Sequence, residues 1–356
     1  MTAARTRRRT RLIVSGATGE PRRARTRATA ITVPAATLPD VSLPTCIVTE
    51  ALDDAAIDWL AGRARVVRGS PASAEFAAEA ASAEALVVRT YTIVDDALLD
   101  RLPALRVVAR AGVGLDNIDV AACRRRGVEV VHTPDANTQA VVEYVLCLFC
   151  DALRPRLFLD RPLSKDAWDD VREEVVGAWQ MDELVLGILG MGRIGQRVAQ
   201  VAGAIGFHCI YHDLLEVPES SRHGAEPVGL EQLFADSDVV TVHVDGRASN
   251  RGLVGPALLE RLRDDAVLIN TSRGFVIDDA ALAAWLGTRP AAQVILDVHD
   301  PEPFTHGHPL LGMANAHLAP HLASRTLTAM ANMSWVVKDV AAVLEGKTPR
   351  FPAPPA

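Results

Sequence analysis

Four features in a fixed order between residues 184 and 213 constrain the fold of this chain more than anything else in it. Residues 184–189 are an apolar run that reads as a buried strand. Gly190, Gly192 and Gly195 follow at GxGxxG spacing, with Met191, Arg193 and Ile194 between them. Residues 194–205 then carry apolar side chains at helical spacing. A second strand-like run, 207–212, ends at Asp213, 18 residues beyond the last glycine. The glycine spacing alone is a weak signal. Strand before it, helix after it and an acid at that distance make it a dinucleotide-binding fingerprint. The first glycine permits a tight turn, the second lets backbone amides approach a pyrophosphate, and the third lets helix and strand pack closely. The pyrophosphate then sits at the positive end of the helix. A carboxylate at Asp213 can accept both ribose hydroxyls and repels a 2′-phosphate. Leu214 and Leu215 follow it, with no arginine to receive one. The expected cofactor is therefore NAD, held by residues 190–195 and Asp213.

The rest of the chain reads the same way. Short apolar runs at 46–49, 85–88, 106–109 and 128–131 alternate with helical patterns at 53–61, 95–101 and 118–126. A longer helix is expected at about 138–153, with Asn137 as its N-cap. A polar stretch, 154–182, with Trp168 and Trp179, reads as an arm or linker. A second series follows, with strands at 184–189, 207–212, 238–242, 266–269, 294–296 and 317–318, and a closing helix at 325–344. Strands alternating with helices imply βαβ units and parallel sheets. The expected fold class is α/β, with two Rossmann- or flavodoxin-like parallel-sheet domains. The cofactor domain, 138–322, is inserted into a discontinuous substrate domain, 44–137 and 323–356. The chain would then cross the cleft near Asn137 and near His321, the natural hinges.

Length and charge agree with this. A chain of 356 residues suits two domains, and 49% hydrophobic residues suffice for two cores. Residues 1–28 hold nine arginines and one acid, a net +8. With −7 for the whole chain, the remainder sums to −15. That acidic body argues against nucleic acid as a partner. The basic residues 1–43 read as a disordered extension. Too little apolar sequence follows the arginines for a secretory signal, and no apolar run approaches the ~20 residues of a membrane span. Five cysteines, an odd number, suit a reducing cytoplasm. Cys147 and Cys150 have CxxC spacing inside an apolar run and read as buried helix residues.

In open α/β sheets the chemistry lies beyond the carboxyl ends of the strands. There the sequence places His243, then Arg273, then Asp297 and Glu302, then His321. Removing a hydride from a secondary alcohol requires a base for the hydroxyl proton. Histidine titrates in the working range, and His321 is the candidate. Glu302 would hold the imidazole and favour its charged form. Arg273 would pair with a substrate carboxylate and polarise the carbonyl oxygen. His243 reads equally as a cofactor contact or as a satisfied strand-end histidine. His306, His308, His317 and His321 lack acidic or cysteine partners at ligand spacing, so no metal is expected.

The stretch Arg110–Asp119 (RAGVGLDNID), the segment 187–195, Leu268–Gly274 (LINTSRG), Leu296-Asp-Val with Glu302-Pro303, and Pro320-His321 together resemble the D-isomer-specific 2-hydroxyacid dehydrogenase family. The short 3-phosphoglycerate dehydrogenase type, without a C-terminal regulatory domain, is the most similar. The resemblance spans about residues 45–345. It implies an NAD-dependent dehydrogenase acting on a small 2-hydroxy or 2-keto acid. It also implies cofactor contacts at Thr271, Ser272 and Asp297, a carboxylate cradle from the amides of Val113 and Gly114, Arg89 facing the substrate, and a homodimer built on the tryptophan-bearing arm. Two positions depart from the family pattern: Asp135 stands where glycine is usual, and Asp245 where proline is usual. An NAD-sensing corepressor and a relative acting on phosphite or phosphonates are the alternatives. Formate-type relatives lack the glutamate, which Glu302 argues against. The particular acid is left open.

Overall fold

The structure, a computed structural model, describes residues 43–154 and 156–354. The basic segment, Leu43 apart, lies outside the described residues. The first sheet comprises β1 (Thr45–Val48), β2 (Arg65–Arg68), β3 (Ala83–Val88), β4 (Val107–Arg110) and β5 (Glu129–Val131). Its order is β2-β1-β3-β4-β5, with every pairing parallel, the flavodoxin-like arrangement. The second sheet comprises β6 (Val185–Leu189), β7 (His208–His212), β8 (Glu226–Pro227), β9 (Val239–Val242), β10 (Val267–Asn270), β11 (Gln293–Leu296) and β12 (Ala316–Leu318). Its order is β12-β11-β10-β9-β6-β7-β8. From β6 the chain steps out to β7 and β8, then returns to β9 on the other side. That reversal opens a crevice beyond the ends of β6 and β9, where ligands of such sheets bind.

Helices cover both faces of the sheets, which is why the central strands are apolar throughout. The helix Thr138–Leu153 turns Val141, Val145 and Phe149 onto Leu186 and Ile188 of β6. Phe149 lies 5.5 Å from Phe207, ring centre to ring centre. Truncating so buried a ring costs about 3–5 kcal/mol. Asn137 precedes this helix, but its side chain caps no amide, and its Oδ1 is buried without a partner. Cys147 is exposed and Cys150 half-buried, against expectation. The helix buries residues 141, 142, 145, 148 and 149, and Cys147 falls on the opposite face.

Further elements differ from the sequence reading. β2 (RVVR) has charges at both ends and no buried residue, so it shows no apolar run. The arm contains a helix, Lys165–Glu174, none of whose residues is buried. Ser164 caps it by accepting from the Ala167 amide at 3.2 Å, and a Lys165–Asp169 pair runs along its face. Leu157, Phe158, Leu159, Trp168, Val176 and Trp179 of the arm are exposed. The closing helix is two helices, Leu327–Ser334 and Val337–Leu344, broken at Trp335–Val336. By length and a mean hydropathy of 1.2, residues 327–344 could cross a membrane. Here Val336, Val337 and Val340 instead pack on Val48, Val87 and Val107 of the first sheet. β8, of two residues, was also not foreseen.

Candidate active site

The glycine turn forms as its residue types require. Gly190 has φ 95°, and a Cβ there would lie 2.8 Å from the backbone of His243. A Cβ on Gly195 would lie 2.1 Å from the Gly190 carbonyl oxygen. Gly192 faces open space and precedes the helix Arg193–Ala204, whose first amides are aimed into the crevice. Asp213, at the end of β7, accepts from the Met191 amide at 2.7 Å and the Leu215 amide at 2.9 Å. The Met191 amide is therefore engaged with Asp213. Two bonded amides leave the carboxylate further lone pairs for sugar hydroxyls. Ile194 packs its side chain against the core beneath the loop. Thr271 Oγ1 is buried beyond β10 with no partner. An open cradle at a helix N-terminus, an acid at the neighbouring strand end and an orphaned hydroxyl fit a dinucleotide.

His243 supports the loop from behind. Its amide donates to the Leu189 carbonyl at 2.7 Å, and its Nε2 lies 2.9 Å from Thr241 Oγ1. Burial pushes its imidazole down to about 3, so it stays neutral. Of the two readings left open, the satisfied strand-end histidine is the one this geometry favours. Ser272 is likewise turned inward: its amide and hydroxyl both bond Asn270 Oδ1, at 2.9 and 2.8 Å. Asn270 Nδ2 in turn donates to the Arg273 carbonyl at 2.9 Å, fixing the turn that presents the arginine.

Glu302 and His321 meet. His321 Nδ1 is 2.8 Å from Glu302 Oε2, and the other carboxylate oxygen accepts the His299 amide at 2.9 Å. Burial favours the neutral acid, but these bonds outweigh it and hold Glu302 below the usual carboxylate range. His321 has φ 55°, a left-handed conformation that a non-glycine residue adopts only when its surroundings hold it there. Asp297 does the holding. Its carboxylate is fully buried, and its two oxygens accept the Leu322 and Ala323 amides at 2.7 and 2.8 Å. Its carbonyl accepts the His321 amide at 2.8 Å. These three bonds fix the turn that carries His321. Burial raises its pKa, opposed by those two amides.

Arg273 reaches from the second sheet to the first. Its Nε and one terminal nitrogen each lie 3.0 Å from an oxygen of Asp116. Its guanidinium lies directly over Gly114, where a Cβ would come within 1.8 Å. The amides of Val113 and Gly114 have no acceptor among the described residues.

Sequence reasoning gave no role to Arg110, Asp116 or Glu50. Arg110, at the end of β4, has a buried Nε without a partner. Desolvation, and then the charge of Arg273, push its guanidinium down to about 10. Arg89 lies near enough to contribute to the same field. Glu50 accepts the amides of Arg89, Thr90, Tyr91 and Thr92 at 2.9–3.2 Å. Burial opposes its ionisation, but the four amides together hold it below the usual carboxylate range. The strand-end rule could have found Arg110. Nothing local marks Asp116 or Glu50. Among the described residues, no three His, Cys, Asp or Glu side chains gather as a metal site would require.

Residues 146–323 match the family model described as "D-isomer specific 2-hydroxyacid dehydrogenase, NAD binding domain". The chain is 35% identical over 278 residues to a glyoxylate reductase of Aeropyrum pernix, covering 76% of this chain and 83% of that one. It is 32% identical over 300 residues to a D-3-phosphoglycerate dehydrogenase of Archaeoglobus fulgidus, covering 82% of this chain and 56% of that one. It therefore spans about half the length of the latter kind of relative. A crystal structure of a Thermus thermophilus protein superposes with a TM-score of 0.74 at 31% identity, covering 87% of this chain and all of that one.

Proposed function

The chain belongs to the D-isomer specific 2-hydroxyacid dehydrogenase family, and from that premise we propose that it interconverts a small D-2-hydroxy acid and its 2-keto acid. The observation that carries this reading is the Glu302–His321 pair, held at 2.8 Å on a left-handed turn. Bound NAD supplies or accepts the hydride at the carbon bearing the oxygen. His321 takes the hydroxyl proton on oxidation and returns it to the carbonyl oxygen on reduction. Glu302 orients the ring through the bond to Nδ1. Arg273 binds the substrate carboxylate and polarises the carbonyl. The free amides of Val113 and Gly114 cradle the same carboxylate. Arg193, Asp213 and Thr271 line the cofactor crevice.

Arg89 and Arg110 stand beside Arg273, with Asp116 and Glu50 as counter-charges in the same field. Residues 44–137 with 323–356 form the substrate-binding part of this reading, and 138–322 the cofactor part. The exposed apolar arm suits a homodimer, and the cytoplasm is the proposed compartment.

The test is an NADH-consumption screen with glyoxylate, hydroxypyruvate, 3-phosphohydroxypyruvate, pyruvate and small phosphonate aldehydes. Turnover of a 2-keto acid, abolished in His321→Ala with NADH binding retained, is the expected result. Tight NADH binding without turnover of any of them would shift the reading to a cofactor-sensing protein.

A further inference from the structure

Asp135 lies on the turn after β5, where the chain first passes from one sheet to the other. Arg193 is the first residue of the helix behind the glycine turn. Arg193 Nε is 3.2 Å from Asp135 Oδ1, and the side chains are 55% and 65% exposed. The guanidinium leaves the helix next to Gly192, over which the crevice is open. The helix N-terminus beside it is where the NAD-binding reading puts the pyrophosphate, and Asp135 sets a carboxylate against that guanidinium. His132 is a further titratable group near the pair. Both Arg193 and Asp135 act on His132, and its imidazole is pushed down chiefly by burial. It adds no positive charge there.

We propose that Asp135 competes with the cofactor pyrophosphate for Arg193. The carboxylate holds the guanidinium across the turn until the pyrophosphate displaces it. Asp135 thereby weakens cofactor affinity and makes cofactor entry release a contact at the first crossing of the chain. This rests on the NAD-binding reading of the crevice.

The experiment is a fluorescence titration of NADH, and a competition titration of ADP-ribose and of adenosine, on the full chain. Asp135→Asn removes the charge and keeps the shape. Exposed pairs of this kind are individually weak, so its effect should be modest: Kd for NADH and ADP-ribose lowered about threefold to fivefold. Adenosine, which lacks the pyrophosphate, should bind unchanged. Arg193→Gln should weaken NADH, and in that background Asp135→Asn should have lost most of its effect. Asp135→Gly repeats the test with the small residue. An Asp135→Asn gain that persists undiminished in Arg193→Gln would mean plain repulsion of the phosphates and would overturn the competition. Unchanged NADH affinity in both Asp135 variants would also overturn it. A wild-type chain that failed to bind NADH would sink the underlying reading and this inference with it.

Discussion

Asp116 and Arg273 are paired through two bonds of 3.0 Å, although 157 residues separate them in the chain. The fork that should receive the substrate carboxylate already grips an internal one. A substrate must displace Asp116 or share the guanidinium with it. Asp116→Asn removes the competing charge, so KM for the keto acid should fall several-fold, and kcat should fall too because Arg273 loses its restraint. Arg273→Lys keeps a charge but not the planar two-point grip, so KM should rise and kcat drop. NADH affinity should change less than about twofold in either. A raised KM in Asp116→Asn would make Asp116 a support for the arginine and not a competitor.

The Glu302–His321 bond fixes the ring that handles the proton. Glu302→Gln keeps the shape and removes the charge, so kcat should fall about tenfold or more in both directions, while Kd for NADH should change less than about twofold. An unchanged kcat in Glu302→Gln would remove Glu302 as the residue that positions the ring.

Asp213 makes a prediction about cofactor choice. Its carboxylate bonds the Met191 amide at 2.7 Å as well as facing the crevice. Asp213→Ala should weaken NADH about tenfold or more and narrow its preference over NADPH. It should also lower the melting temperature, because the glycine turn loses a bond. A wild-type protein that used NADPH better than NADH would contradict the role given to Asp213.

Glu50 makes a prediction about stability. Its pKa is depressed in the folded chain by four amides, despite burial. A depressed carboxylate contributes stability that is present above its unfolded pKa and lost as pH falls through the folded one. Glu50→Gln should therefore cost about 1–3 kcal/mol near pH 7, measured by urea denaturation. The gap from wild type should close as pH falls below about 4.3. A gap that widened in acid would contradict the assigned direction.

The parts of the molecule that were legible are those in which local pattern and global fold coincide. The helix Thr138–Leu153 begins and ends where its apolar spacing says. The glycine turn announced itself because each glycine answers a separate steric need. β2 was hidden because an edge strand can be polar. The grip of Asp116 on Arg273, of Glu50 on residues 89–92, and of Asp135 on Arg193 could not be read, because each partner is a loop residue brought close only by the finished fold. Asp297 is recognisable as a strand-end carboxylate, but the amides it fixes are not. A motif shows that a carboxylate belongs at a strand end, and not which amides it will hold.

The three amides held by Asp297 have a mechanical consequence. They fasten His321, Leu322 and Ala323 to the end of β11. Arg110 ends β4, and Val113 and Gly114 follow it in the first sheet's loops. In the proposed mechanism the proton donor and the carboxylate cradle therefore hang from different sheets, and their spacing is set by how those sheets meet.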